Sequence, residues 1–130
     1  MSQLRGLVSV VVRDYDEALG FYVGVLGFDL IEDTPVPEQD KRWVVVRPPG
    51  ARHGGILLAR ASSEEQAVHV GNQTGGRVFL FLYTDDFDRD YTAYCDRGVV
   101  FVRPRGRCPT GRSRSSGTCT ATSGIFLNRA

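Results

Sequence analysis

His53 and His69 are the only imidazoles in this chain, and imidazole is the side chain that most catalytic transition-metal sites use. His53 lies in the Gly/Pro-rich stretch PPGARHGG and His69 in a polar connection, so both are expected to be exposed loop residues. Asp85, Asp86, Asp88 and Asp90 form the densest acidic cluster. Their place before a helical repeat points to capping and to the positive end of the helix dipole rather than to chemistry. Cys95, Cys108 and Cys119 have no metal-ligand spacing and are odd in number, which predicts reduced thiols. The glycine cluster Gly71–Gly76 runs into a strand instead of a helix and makes a poor phosphate cradle. No nucleophile–base arrangement stands out, so no catalytic residue is assigned. What remains is Trp43, the sole tryptophan, together with Arg77, Phe79 and Phe81, which alternate onto one face of a predicted strand. An aromatic surface with one cation suits an aromatic or anionic small molecule, although the same rings would serve as plain core.

The elements that would position these residues follow from periodicity. LVSVVV (Leu7 to Val12) is an unbroken apolar, mostly β-branched run, as in a strand covered on both faces or lining a cavity. Asp14 with Glu17 three residues on has capping-box spacing, and Ala18, Leu19, Tyr22, Val23 and Leu26 recur at helical intervals. Gly27 ends that helix, and FDLIED (Phe28 to Asp33) alternates as a half-buried strand before Pro35 and Pro37. RWVVVR (Arg42 to Arg47) and GILLAR (Gly55 to Arg60) are two more strands, giving the order βαβββ. After a polar connection from Ser62 to Thr74 the pattern restarts. RVFLFLY (Arg77 to Tyr83) is a strand, Asp85 or Asp86 caps a helix through Tyr94, and GVVFVR (Gly98 to Arg103) is the counterpart of FDLIED. Such repetition is strong evidence of architecture, since each copy exposes an apolar sheet face that needs cover.

At 130 residues the chain reads as a single domain of two modules, about 5–61 and about 76–103 onward, and at 42% apolar residues it can bury an ordinary core. Nothing approaches the roughly 18 apolar residues of a membrane span and no signal pattern is seen, so a soluble, cytoplasmic protein with no membrane partner is expected. The net charge of +1 hides an asymmetry: residues 1–96 hold all fifteen acidic groups, whereas residues 97–130 hold seven Arg and no acid.

The stretch VVVRDYDEALGFYVGVLGFDL (Val10 to Leu30), with its Phe21-Tyr22 pair and Val25-Leu26-Gly27-Phe28, resembles the vicinal-oxygen-chelate superfamily of glyoxalase I, bleomycin-resistance proteins and extradiol dioxygenases. VFLFLYTDDFDRDYTAYCDRGVVFV (Val78 to Val102) is similar to the second module. The resemblance implies an α+β fold in which two βαβββ modules form an incomplete barrel around a cavity, and homodimerisation. In the enzymes of the family up to four inward His, Gln or Glu bind a divalent metal. Carried onto this chain, three of those positions fall at about Leu7, at Leu57 or Leu58, and at about Arg77, none of which can bind a metal. No metal and no other cofactor is therefore expected, the alternative being a divalent metal.

From Arg103 the composition turns to Arg, Ser, Thr and Gly, and the family's final strands are not recognisable there. The segment 105–130 is an atypical basic tail. Its composition is explained by a shift of reading frame: beginning each codon one base earlier turns every TCN serine codon into NTC, always Phe, Leu, Ile or Val. Cys119 and Ser113, Ser115, Ser116 and Ser123 then become apolar. From Pro109 the allowed codons admit PYGSVAVFRDLYGNLWDLPEP, with the third bases free. The competing explanations are a genuine basic tail binding nucleic acid, disfavoured because aromatics other than Phe126 are missing, and a disordered, solvated tail of no specific role. The leading function is thus metal-free binding or sequestration of a small molecule through Trp43, Arg77, Phe79 and Phe81. The first alternative is a metal-dependent lyase, isomerase or dioxygenase, and the second an interaction protein working through its Arg tail.

Overall fold

In the computed structural model LVSVVV forms β1 (Leu7–Val12), and α1 (Tyr15–Leu19) starts at Asp14, whose carboxylate accepts the Glu17 amide N–H at 2.9 Å. The structure describes residues 1–4, 6–75 and 79–99 and, as backbone, 101–103, 118–121 and 124–127. The capping box is only half used, because the Glu17 carboxylate is taken by the Arg13 guanidinium (Nε at 3.1 Å). The predicted helix is also not α-helical throughout. Gly20–Val25 is a π-helix, in which the Leu26 N–H reaches back five residues to the Phe21 carbonyl at 2.9 Å. Gly20 and Gly24 weaken ordinary helix here, and the wider turn brings Tyr22, Leu26 and Phe28 all into the core. Tyr22 packs edge-on against Phe21 at 5.2 Å and at a tilt against Phe28 at 5.7 Å, and burial pushes its phenol pKa up. Gly27, at φ 75°, makes the left-handed exit into the next strand.

β2 (Asp29–Val36), β3 (Lys41–Arg47) and β4 (Gly55–Arg60) complete a sheet of order β1-β4-β3-β2, with β1 and β4 parallel and the other neighbours antiparallel. β2 runs through Pro35, beyond the predicted stop, because it is an edge strand whose missing N–H costs no ladder bond there. Val10, Leu58 and Val44 are register neighbours, none more than 1% exposed, and with Val12, Val46 and Ile56 they make the buried face of the sheet. Beyond β4, Ser63 caps a single helical turn, α2 (Glu64–Ala67), in what reads in the sequence as a plain polar connection.

Tyr15 joins helix to sheet through two arginines, each with its Cζ 5.3 Å from the ring centre: Arg42 of β3 and Arg60 of β4. The Tyr15 hydroxyl accepts the Arg42 amide N–H, and the Arg42 guanidinium grips Asp33 with two nitrogens (3.1 and 2.6 Å) and Asp16 with the third (3.0 Å). Arg42→Ala should cost about 1–2 kcal/mol and lower the melting temperature by about 3–6 °C, read by calorimetry. The Arg42 hydrogen bond holds the Asp33 carboxyl pKa below its ordinary value. Its contribution is therefore present above the unfolded carboxyl range, about pH 4, and fades as pH falls through the folded value. Asp33→Asn should flatten that acid limb.

Residues 1–70 and 71–129 are two compact units. The second comprises β5 (Leu80–Tyr83), α3 (Phe87–Asp96), β6 (Phe101–Arg103), β7 (Thr118–Ala121) and β8 (Gly124–Leu127), with sheet order β5-β8-β7-β6. The same βαβββ order of elements thus occurs twice, and the architecture is α+β with open sheets. The last two strands, not recognisable in the sequence, are present. Their directions differ from the first unit: β5 and β8 are antiparallel where β1 and β4 are parallel, and β6 and β7 are parallel where β2 and β3 are antiparallel. Asp86 is the cap of α3, accepting the Arg89 N–H at 3.0 Å, and Arg89 also binds Asp85 and Asp90 at 3.0 Å each. The acidic cluster is therefore a helix-start network, as its spacing predicts. Cys95, fully buried in α3, is disulfide-bonded, which corrects the expectation of reduced thiols.

Candidate functional site

Strand alternation gives the first sheet a second face, opposite the buried one. The register places Ser9 beside Leu57 and Val45 beside Leu57, with Glu32 across from Val45 and Thr34 across from Trp43. Leu7, Val11, Ala59 and Arg47 continue the same alternation. Gly55 shows how closely this face is knit: a Cβ there would lie 3.0 Å from Val45 Cγ1 and 3.2 Å from Leu7 Cδ2. Glycine lets those two apolar side chains close over the strand. The result is an apolar patch of Leu7, Val45 and Leu57, with the indole of Trp43 at one end and Arg47 at the other.

Exposure varies along this face, on which Val45 is only 5% exposed and Leu57 is half-buried. Leu7 is 44% and Trp43 41% exposed, whereas Leu58, one residue from Leu57, is wholly buried on the opposite side. Of the two leucines that the resemblance left open, Leu57 is thus the one on the open face. Arg47 is a cation that the sequence reading overlooked, although its odd position in RWVVVR, in step with Trp43 and Val45, signals it. Its Nη1 donates to the Arg52 carbonyl at 3.4 Å, while its Nε is buried without a partner among the described residues.

The remaining predicted site residues belong to the second unit. Arg77 lies outside the described residues. Phe79 is half-buried just ahead of β5, and Phe81 is 53% exposed within it, in step with exposed Tyr83 and alternating with half-buried Leu80 and Leu82. Tyr83 adds a ring that the Arg77-Phe79-Phe81 pattern left out and that simple extension of the alternation would have included. His53 and His69 are both exposed.

The chemistry of a metal does not fit the face. Leu7 and Leu57 carry no donor atom, and among the described residues no three His, Cys, Asp or Glu side chains converge on a point that could hold an ion. Comparison with known proteins fixes the lineage. Residues 6–127 match the Glyoxalase/Bleomycin resistance protein/Dioxygenase superfamily. The chain belongs to that superfamily. An uncharacterized protein of Shewanella frigidimarina (strain NCIMB 400) is 63% identical over 97 residues, which is 75% of this chain and 72% of the relative. A superfamily member from Sphaerobacter thermophilus DSM 20745 is 30% identical, with a TM-score of 0.60 over 85% of this chain and 83% of that one. TnmS3, an antibiotic binding protein from Streptomyces sp. CB03234, is 28% identical, with a TM-score of 0.59 over 88% of this chain and 98% of that one. The superfamily's description thus spans glyoxalases, dioxygenases and resistance proteins, and TnmS3 is a binding protein of this fold.

Proposed function

We propose that this protein binds and sequesters an aromatic small molecule without a metal. The observation that carries the reading is the second face of the first sheet: the resemblance carries two of the enzymes' metal positions onto Leu7 and Leu57, which offer no donor atom, and the exposed indole of Trp43 lies on the same face, two residues along β3 from Val45, the register partner of Leu57. An aromatic ring laid on Trp43 and against Leu57 gains from burial and from ring–ring contact. The likeness to an antibiotic binding protein supports a binding role. Phe79, Phe81 and Arg77, which the sequence pattern groups in the second unit, are carried in the proposal by residue type alone, two rings and a cation that would favour a carboxylate or phenolate. Glu32, on the Trp43 face, works against a ligand with more than one negative charge. The proposal includes a homodimeric, cytoplasmic protein.

The test is a binding titration on protein stripped with chelator. The affinity for an aromatic carboxylic acid should be unchanged by EDTA and by added Ni, Zn, Fe or Mn. Arg77→Ala should weaken the acid about tenfold and leave its neutral amide unaffected. Stoichiometric metal in the purified protein, with binding lost on chelation, would favour the enzyme alternative instead.

A further inference from the structure

The second sheet differs from the first in one systematic way. In the first, the strand pair β3 and β4 leaves β4 parallel to β1; in the second, the corresponding pair β7 and β8 is reversed, leaving β8 antiparallel to β5. Duplicated modules with one element order and one strand order are expected to share strand directions, because βαβ chirality and the helix-covered face fix them. The reversal begins where the composition breaks, after β6, which meets β7 at only two register positions with an irregularity between them.

Three further facts bear on this segment. It has the length of a sheet ending, since the superfamily match continues to residue 127. It lacks the content of one, holding no acidic residue and few large apolar ones. And the relative that is 63% identical aligns over only 97 residues, leaving a quarter of this chain and more than a quarter of its own outside. An alignment that stops short at such identity is what a replaced ending would produce. A change that keeps length and position but replaces residue content is the signature of a frame change rather than of an insertion or a loss.

We infer that residues from about Arg105 onward are the out-of-frame translation of a normal ending of the second module, displaced by a single-nucleotide change near that codon. The middle codon base sets hydrophobicity, so the shifted reading is strongly constrained even with third bases free. Cys119 becomes Leu, Val or Met, Phe126 becomes Phe, Leu or Ile, and each TCN serine becomes apolar. The admitted string then reads SVAVFR over 112–117, a turn DLYGN over 118–122, and LWDL over 123–126. That is an alternating strand, a Gly-Asn turn and a second strand, the counterpart of RWVVVR, its turn and GILLAR. In the reading as it stands, the place of that turn is occupied by β7 (Thr118–Ala121), which accounts for the reversed hairpin. The inference is independent of the binding role proposed above.

Peptide mapping of the protein purified from the organism that carries the gene tests it, alongside expression of the sequence as it stands and with one base corrected near codon 105. Peptides with the aromatic and acidic residues of the shifted reading should be found, and Arg-rich peptides from 105–130 should be absent. The corrected chain should melt cooperatively at least about 10 °C above the uncorrected one and show a single thiol, Cys95, when unfolded and reduced, against three. Finding the Arg-rich peptides in the native protein, or a corrected chain that melts no higher than the uncorrected one, would overturn the inference.

Discussion

Leu58→Ala should destabilise the protein by about 3–4 kcal/mol, among the large losses expected from a single substitution in the first unit. Leu58 is completely buried, in register with Val10 on one side and Val44 on the other, and those neighbours are themselves almost wholly inaccessible. Removing three carbons from so closely matched a place leaves a cavity that the β-branched neighbours, stiff about χ1, cannot fill. Leu57→Ala, one residue away, should cost about 1–2 kcal/mol in urea denaturation, because Leu57 is only half-buried on the other face. The contrast tests the assignment of faces directly. Similar losses at both positions would mean that the open face is not open and that Leu57 does not stand where a ligand can meet it.

Trp43→Ala should weaken an aromatic ligand about 10- to 100-fold, while shifting stability by less than about 1 kcal/mol. At 41% exposure the indole contributes little to the fold but presents a large flat apolar surface, and losing a ring contact together with its buried area is worth about 1.5–3 kcal/mol of binding. Trp43→Phe should keep most of the affinity. Calorimetric titration of both variants, next to their melting curves, separates loss of binding from loss of structure. A Trp43→Ala protein that melts well below the parent would show the indole to be core.

Much of this was legible in the residues because local and long-range signals agree in the first unit. LVSVVV, the Asp14 cap, Gly27 and the RWVVVR and GILLAR runs each specify an element, and the repeat of that order specifies the architecture. The departures have local causes. Gly20 and Gly24 open the helix to a π turn that periodicity alone cannot distinguish from an α turn. β2 passes Pro35 because proline is tolerated at an edge, which only the sheet order reveals. The clamp of Tyr15 between Arg42 and Arg60 joins residues up to 45 positions apart and leaves no spacing signal. On the candidate face, strand alternation puts Trp43 in step with Val45 and, followed to the strand ends, would have supplied Arg47 and Tyr83. It could not choose between Leu57 and Leu58, since both neighbours in GILLAR are apolar and only the helix-covered face tells them apart.

Trp43 is the sole tryptophan, so its emission reports on the proposed ligand face with no other indole contributing. The most direct test of metal-free binding there is a fluorescence titration of chelator-treated protein with a fused-ring aromatic carboxylic acid. The account predicts a saturable change in Trp43 emission, with one affinity before and after addition of Ni, Zn, Fe or Mn. No change in emission until a metal is restored would contradict it.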